Sequence, residues 1–143
     1  MQVQPYLFFE GRCDEALEFY RSVLGVEVKD LMRFKDVPAQ SEPEPAEGCA
    51  GPPPPDMNKV CHASFRLGDT TVLVSDGQCL GKPAFQGFSL SITVRDAAEA
   101  EQLFTRLGDG GQVQMPLSKT FFSPRFGMVA DRFGVSWMVI VDQ

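Results

Sequence analysis

The residues of this chain that could do chemistry fall on two alternating stretches. Residues 59–67, KVCHASFRL, set His62, Ser64 and Arg66 on one side of an extended chain and Cys61, Ala63, Phe65 and Leu67 on the other, because successive strand side chains point to opposite faces. Residues 88–94, FSLSITV, oppose Ser89, Ser91 and Thr93 to Phe88, Leu90, Ile92 and Val94 in the same way. One imidazole, one guanidinium and several hydroxyls can hold a small polar or anionic organic molecule, and Met128 and Met138 can add apolar surface beside them. His62 is the single histidine. An imidazole there could act as a general base, although a hydrogen-bonded structural role is the commoner use of such a residue. A polar sheet face is equally expected where water simply wets it. No Ser-His-Asp or Cys-His constellation can be read from spacing, and Cys61 is expected to point away from His62.

The elements that must carry these residues end in a hairpin. Within residues 121–142, Asp131 and Gly134 suit the first and fourth positions of a type I turn. The strand after it, residues 135–141, is almost entirely apolar and calls for cover on both faces, by a helix on one and by a cavity or partner on the other. Earlier, residues 6–10 and 26–34 read as strands around a helix. Ala16, Phe19, Tyr20 and Val23 recur at helical spacing, Asp14 serves as N-cap or first-turn acid, and Gly25 as the stop. Residues 70–75 return as a strand after the Gly68-Asp69 turn. A second helix over 96–107 buries Ala100, Leu103, Phe104 and Leu107 and is stopped by Gly108, Gly110 and Gly111. Residues 112–122 hold a strand bent near Pro116. The stretch 36–58 carries seven prolines and almost no large apolar residue. It reads as a mobile loop, most so over 38–57, since so little apolar surface cannot offset an ordering cost of roughly 1–2 kcal/mol per residue. A lid over a site is the functional reading of that loop, and a solvated excursion is the commoner one.

The 143 residues suffice for one domain with a real core. A net charge of −6 argues against a nucleic-acid footprint, which needs clustered Lys and Arg. No run of about 18 apolar residues occurs, so no membrane span is expected. The start, MQVQPYLFFEG, lacks the pattern of a secretion signal, and a cytoplasmic protein is expected. Cys13, Cys49, Cys61 and Cys79 show no CxxC spacing and read as reduced thiols.

The two halves repeat. A shift of 84 positions places Ala16 on Ala100, Phe19 on Leu103, Tyr20 on Phe104 and Val23 on Leu107, with Pro5 on Ser89 in the opening strands. A shift of 66 places Gly68 on Gly134 and Asp76 on Asp142. The proline-rich stretch supplies the extra residues of the first half. Each half is then strand, helix and three strands, and the uncovered sheet faces can curl into a shared concavity. The segments PYLFFEGRCDEALEFYRSVLG, LSITVRDAAEAEQLF and RFGMVADRFGVSWMV together resemble the PhnB-like branch of the vicinal oxygen chelate superfamily, which includes glyoxalase I, extradiol dioxygenases and the bleomycin-resistance proteins.

The resemblance covers nearly the whole chain and implies an α+β fold. It implies two tandem βαβββ modules, an open cup-shaped mixed sheet and a single domain over 1–143. Module one is expected over about 4–76, with its loop at 36–58, and module two over about 85–142. It also implies a homodimer. The run Tyr6, Leu7, Phe8, Phe9 does not alternate in composition, which predicts a second dry face with a partner subunit as the simplest cover. Superfamily enzymes hold a divalent metal on the first and last strands of each module. Those positions carry over to Pro5, Ser89, Met138 and Val72 or Val74, and give no set of strong ligands. No metal or cofactor site is therefore expected. Related sequences often bear the label of a demethylubiquinone methyltransferase, yet Gly108 to Gly111 follow a helix instead of linking a parallel strand to one. The reading is a glyoxalase-like protein that binds a small molecule without the superfamily's metal. The alternative is a metal-dependent isomerase, lyase or dioxygenase with non-standard ligands.

Overall fold

The computed structural model describes residues 1–37 and 56–142. The expected mobile segment and Cys49 lie almost entirely outside the described residues. The chain divides into two compact units, residues 1–83 and 84–143.

In the first unit, β1 (Tyr6–Phe8), α1 (Cys13–Leu24), β2 (Glu27–Arg33), β3 (Val60–Leu67) and β4 (Thr70–Ser75) build a four-stranded sheet of order β1-β4-β3-β2. The first strand lies parallel to the last, with Tyr6 opposite Leu73, and the other pairings are antiparallel. The second unit repeats this with β5 (Leu90–Val94), α2 (Ala97–Leu107), β6 (Gln112–Ser118), β7 (Phe126–Ala130) and β8 (Ser136–Val141), in the order β5-β8-β7-β6. Ser91 lies opposite Met138 across the parallel pair. Each unit is thus a βαβββ module with one helix on an open mixed sheet, the α+β arrangement that the repeat implies.

Alternation decides what each helix covers. Phe9 and Phe65 meet Tyr20 of α1 ring to ring, and Leu7, Ala63, Val72 and Val74 are buried with them. In the second unit Trp137, Val139, Val141 and Val129 are buried, and Gly127 leaves the space that Phe104 of α2 fills, since a Cβ there would come within 2.8 Å of that ring. The closing strand β8 does not need dry cover on both faces. Its burial alternates, with Ser136, Met138 and Ile140 only half-buried. The opening strand alternates too. Leu7 and Phe9 are buried within their own chain, whereas Tyr6 and Phe8 are each 39% exposed. Composition without alternation is a poor guide here because one face of this strand is lined by aromatics that stack on each other instead of on a core.

Several ends differ by a few residues from expectation. The strand at 112 runs only to Ser118 and passes through Pro116, which an edge strand tolerates because its outward N–H has no ladder partner to lose. Helix α1 opens at Cys13, with Asp14 in its first turn and Gly25 as a left-handed C-cap at φ 66°. Asp96 caps α2, accepting from the Glu99 N–H.

Two buried carboxylates organise the backbone. Asp76, at the end of β4, accepts from the N–H groups of Gly11 and Cys13 on Oδ1, at 3.0 and 2.8 Å, and from that of Val60 on Oδ2 at 2.7 Å. It thereby caps α1 from 63 residues away and ties it to the start of β3. Asp131 opens the β7–β8 turn, with Gly134 N–H returning to its carbonyl. Its side chain accepts from Phe133 N–H, Val135 N–H and the Trp137 indole at 2.9, 3.0 and 2.9 Å. An unsatisfied buried donor costs about 1–3 kcal/mol, so removing either carboxylate orphans enough donors to consume much of a small domain's stability. Asp131→Ala is expected to lower unfolding stability by about 3 kcal/mol in urea titrations. Because Trp137 is the only tryptophan, its emission should change in the same variant, whereas Asp76→Ala should destabilise comparably and leave native emission unaltered.

Candidate functional site

Residues directly opposite across a sheet share a face. The register therefore defines the face of the first sheet that α1 leaves uncovered. One row runs Tyr6, Leu73, Ser64, Lys29. Phe8 and Ser75 lie opposite each other, as do His62 and Met32, one step further along the strands. Arg66, Thr71 and Glu27 follow toward the β3–β4 turn. His62 and Tyr6 share a hydrogen bond of 2.9 Å between Nδ1 and the phenol oxygen, its direction set by the imidazole tautomer. The Tyr6 and Phe8 rings stack, with centroids 5.0 Å apart and planes 22° from parallel.

His62, Ser64 and Arg66 thus lie on one face of β3, with Phe65 turned to α1. They are not equally available. Ser64 is buried, and its hydroxyl lies 3.4 Å from the Lys29 carbonyl. Arg66 folds back onto the turn, donating to the Gly68 carbonyl at 2.9 Å and pairing with Asp69 at 3.5 Å. Such an exposed pair is weak and opens readily to an anion. Cys61 lies on the opposite alternation from His62, which separates the thiol from the imidazole.

On the second sheet the uncovered face carries Ser91, Thr93, Met128 and Met138, with Ser91 opposite Met138 and Met138 opposite Met128. Ser89 lies just before β5. Its hydroxyl donates to that of Ser136 at 2.8 Å, which donates to the Gln114 side-chain oxygen at 2.7 Å. Sequence reasoning did not find Tyr6, Phe8 and Met32 on the first face, or Ser136 and Gln114 on the second. Only cross-strand register brings them beside the expected residues. The one usable signal was the aromatic pair two apart in β1.

In the first module the register moves the divalent-metal positions that the resemblance implies by one residue. Val72 and Val74 are buried against α1, so the repeat shift of 66 pairs a helix-facing residue with the outward Met138. The residue opposite the opening strand on the uncovered face is Leu73, and its partner is Tyr6 instead of Pro5. The corresponding pair in the second sheet is Ser91 and Met138. Phenol, isobutyl, hydroxyl and thioether do not make a site for a hard or borderline divalent ion. Among the described residues no three His, Cys, Asp or Glu side chains cluster as ligands.

Two open four-stranded sheets, each a βαβββ module with its first and last strands parallel, are the fold of the vicinal oxygen chelate superfamily. Residues 1–140 match the family described as 3-demethylubiquinone-9 3-methyltransferase, and the chain belongs to that family, the PhnB-like branch of the superfamily. It is 34% identical over 142 residues to protein YjdN of Escherichia coli K12, covering 99% of this chain and 95% of that protein. The crystal structure of protein PA1353 from Pseudomonas aeruginosa is 39% identical, with a TM-score of 0.79 and coverage of 100% and 98%. A putative 3-demethylubiquinone-9 3-methyltransferase, PhnB protein, from Bacillus cereus is 27% identical, with a TM-score of 0.75 and 99% coverage of both chains. The fosfomycin resistance protein FosX from Listeria monocytogenes shares the fold at 8% identity, with a TM-score of 0.62 and coverage of 100% and 93%.

The family description names a methyl transfer, but the strand-to-helix turns here are not built like a class I methyltransferase's. Gly108, Gly110 and Gly111 close α2. The N-terminus of α1, where a strand-to-helix turn could receive an anionic cofactor, already holds the Asp76 carboxylate. No helix among the described residues is long and apolar enough to cross a membrane.

Two of the described thiols, Cys13 and Cys79, form no disulfide and are not activated as nucleophiles. Burial, reinforced by the nearby Asp76 charge, pushes the Cys13 thiol far above its usual range, and burial also raises Cys79. A raised value means less thiolate at any working pH. Native protein treated with iodoacetamide at pH 8 should therefore keep Cys13 unmodified by peptide mass spectrometry, and unfolding in urea should expose it to full labelling.

Proposed function

We propose that the protein binds a small polar or anionic organic molecule on the uncovered sheet faces, without the superfamily's divalent metal. The observation that carries this reading is the Tyr6–His62 hydrogen bond beside the apolar Phe8, Leu73 and Met32 side chains of the same face, since a polar pair next to apolar side chains is how small-molecule sites fix orientation. Arg66 is a further candidate contact on the same sheet, and Ser89, Ser91, Thr93, Met128 and Met138 are the candidate contacts on the second sheet taken by itself. The protein works in a reducing compartment such as the cytoplasm, which suits its free Cys13 and Cys79. A thermal-shift screen of small organic acids with and without EDTA tests the reading. Stabilising compounds should act equally in both buffers, and His62→Ala should weaken them about tenfold, which linkage reads as a smaller rise in Tm. Stabilisation that requires a divalent ion would sink the metal-free reading.

The protein acts as a homodimer in the same proposal. β1 and β5 are each an edge strand of their sheet. An edge whose outer backbone groups have no strand beside them invites pairing with another chain. Light scattering at micromolar concentration should give about twice the chain mass, and a value of one chain mass would overturn the dimer.

A further inference from the structure

We infer that the first sheet selects planar aromatic anions, such as aromatic carboxylates or phenolates, at a subsite formed by Tyr6, Phe8, His62 and Met32, with Lys29 as the cation. This rests on the small-molecule reading above and names its ligand class.

Three features of this face converge. The Tyr6 and Phe8 rings are already stacked in near-parallel planes, each 39% exposed, so a third flat ring can extend the stack without reordering side chains. Met32 lies opposite His62 on the neighbouring strand and is 43% exposed. Its thioether suits the edge of an aromatic ring. The hydrogen bond between the Tyr6 phenol and His62 Nδ1 orients the imidazole and leaves Nε2 on the far side of the ring from that bond. With Nδ1 accepting, Nε2 carries the proton and is a donor, which an anionic oxygen satisfies.

Charge points the same way. The chain carries 19 acidic against 13 basic residues. Across the paired positions at Tyr6, Phe8, Ser64, Lys29, His62 and Met32 there is no carboxylate and Lys29 is the basic residue, while Glu27 lies further along the same face and the Glu10 carboxylate shares the neighbourhood of Gly77 with the Phe8 ring. Lys29 has a 3.8 Å contact with the exposed Glu27. An aromatic anion would pair its flat face with Phe8 and its oxygen with His62 or Lys29. A small aliphatic anion would gain the charge and lose the stacking, while a neutral aromatic would do the reverse.

The full chain without an affinity tag has one histidine, so the His62 Hε1 proton is a single NMR signal that reports on this subsite. The probes are benzoate, 4-hydroxybenzoate, acetate, inorganic phosphate and benzyl alcohol, titrated at fixed pH. Benzoate and 4-hydroxybenzoate are expected to move the signal saturably, at least about tenfold tighter than the other three. Phe8→Ala and Met32→Ala, both partly exposed, should each weaken them several-fold with an unchanged thermal transition. Acetate or phosphate binding as tightly as benzoate overturns the aromatic selectivity while leaving the wider small-molecule reading intact. No movement with any probe overturns both. A signal that moves on dilution without a probe shows the face to be covered by a second copy, which also overturns the subsite.

Discussion

A buried carboxylate at the end of β4 holds the first module together. Asp76 is fully excluded from solvent, and burying a charge is costly unless every lone pair is used. Three backbone N–H groups use them, two from the entry to α1 and one from the start of β3. The same contact holds the first turn of α1 to the end of β4 and the start of β3. It also fills a helix N-terminus, a place that attracts anionic groups. The second module solves a related problem differently. Asp131 closes a turn and reaches the Trp137 indole, while the buried Ser123 hydroxyl bridges the carbonyls of Arg125 and Val141 at 2.7 and 2.6 Å.

The parallel placement of first and last strands has a functional consequence. It makes the middle of each sheet a place where four strands present outward side chains and the helix covers only the inward ones. The superfamily's enzymes place metal ligands there. This chain has Tyr6, Leu73, Ser91 and Met138 in the middle of the uncovered faces, so the recognition proposed there rests on shape, stacking and hydrogen bonding. The two modules have diverged in kind. The first presents aromatic rings around an imidazole. The second presents a chain of hydroxyls ending on the Gln114 amide beside methionines.

Other charges on the surface support the fold locally. Arg33 reaches from the end of β2 to Asp14 in the first turn of α1 through two bonds of 2.8 and 2.9 Å and also donates to the Asn58 carbonyl. That hydrogen bond holds the Asp14 carboxyl below its ordinary range. The pair's stabilisation is present above the ordinary aspartate range and fades as acid protonates Asp14. Half exposure of the carboxylate keeps it to about 1 kcal/mol or less.

Much of the architecture was legible from sequence because it rests on local periodicity. Alternation in β3 and β5 placed His62, Ser64, Arg66, Ser91 and Thr93 on one side of their strands, and helical spacing identified both helices to within a residue or so. The DRFG turn was readable because its chemistry is contained in four consecutive residues. What tertiary structure alone decided depends on contacts between distant residues. Asp76 gives no sign of capping a helix 63 residues earlier, because a side chain's partners are chosen by the folded backbone. The Tyr6–His62 bond crosses the intervening β4, and Met32 reaches the same face only because a bulge shifts β2 between Lys29 and Met32. A strand register slipped by one residue exchanges faces. The repeat therefore aligned two valines with metal positions that the sheet gives to Leu73, since hydrogen-bond pairing, absent from the sequence pattern, sets which residues share a face.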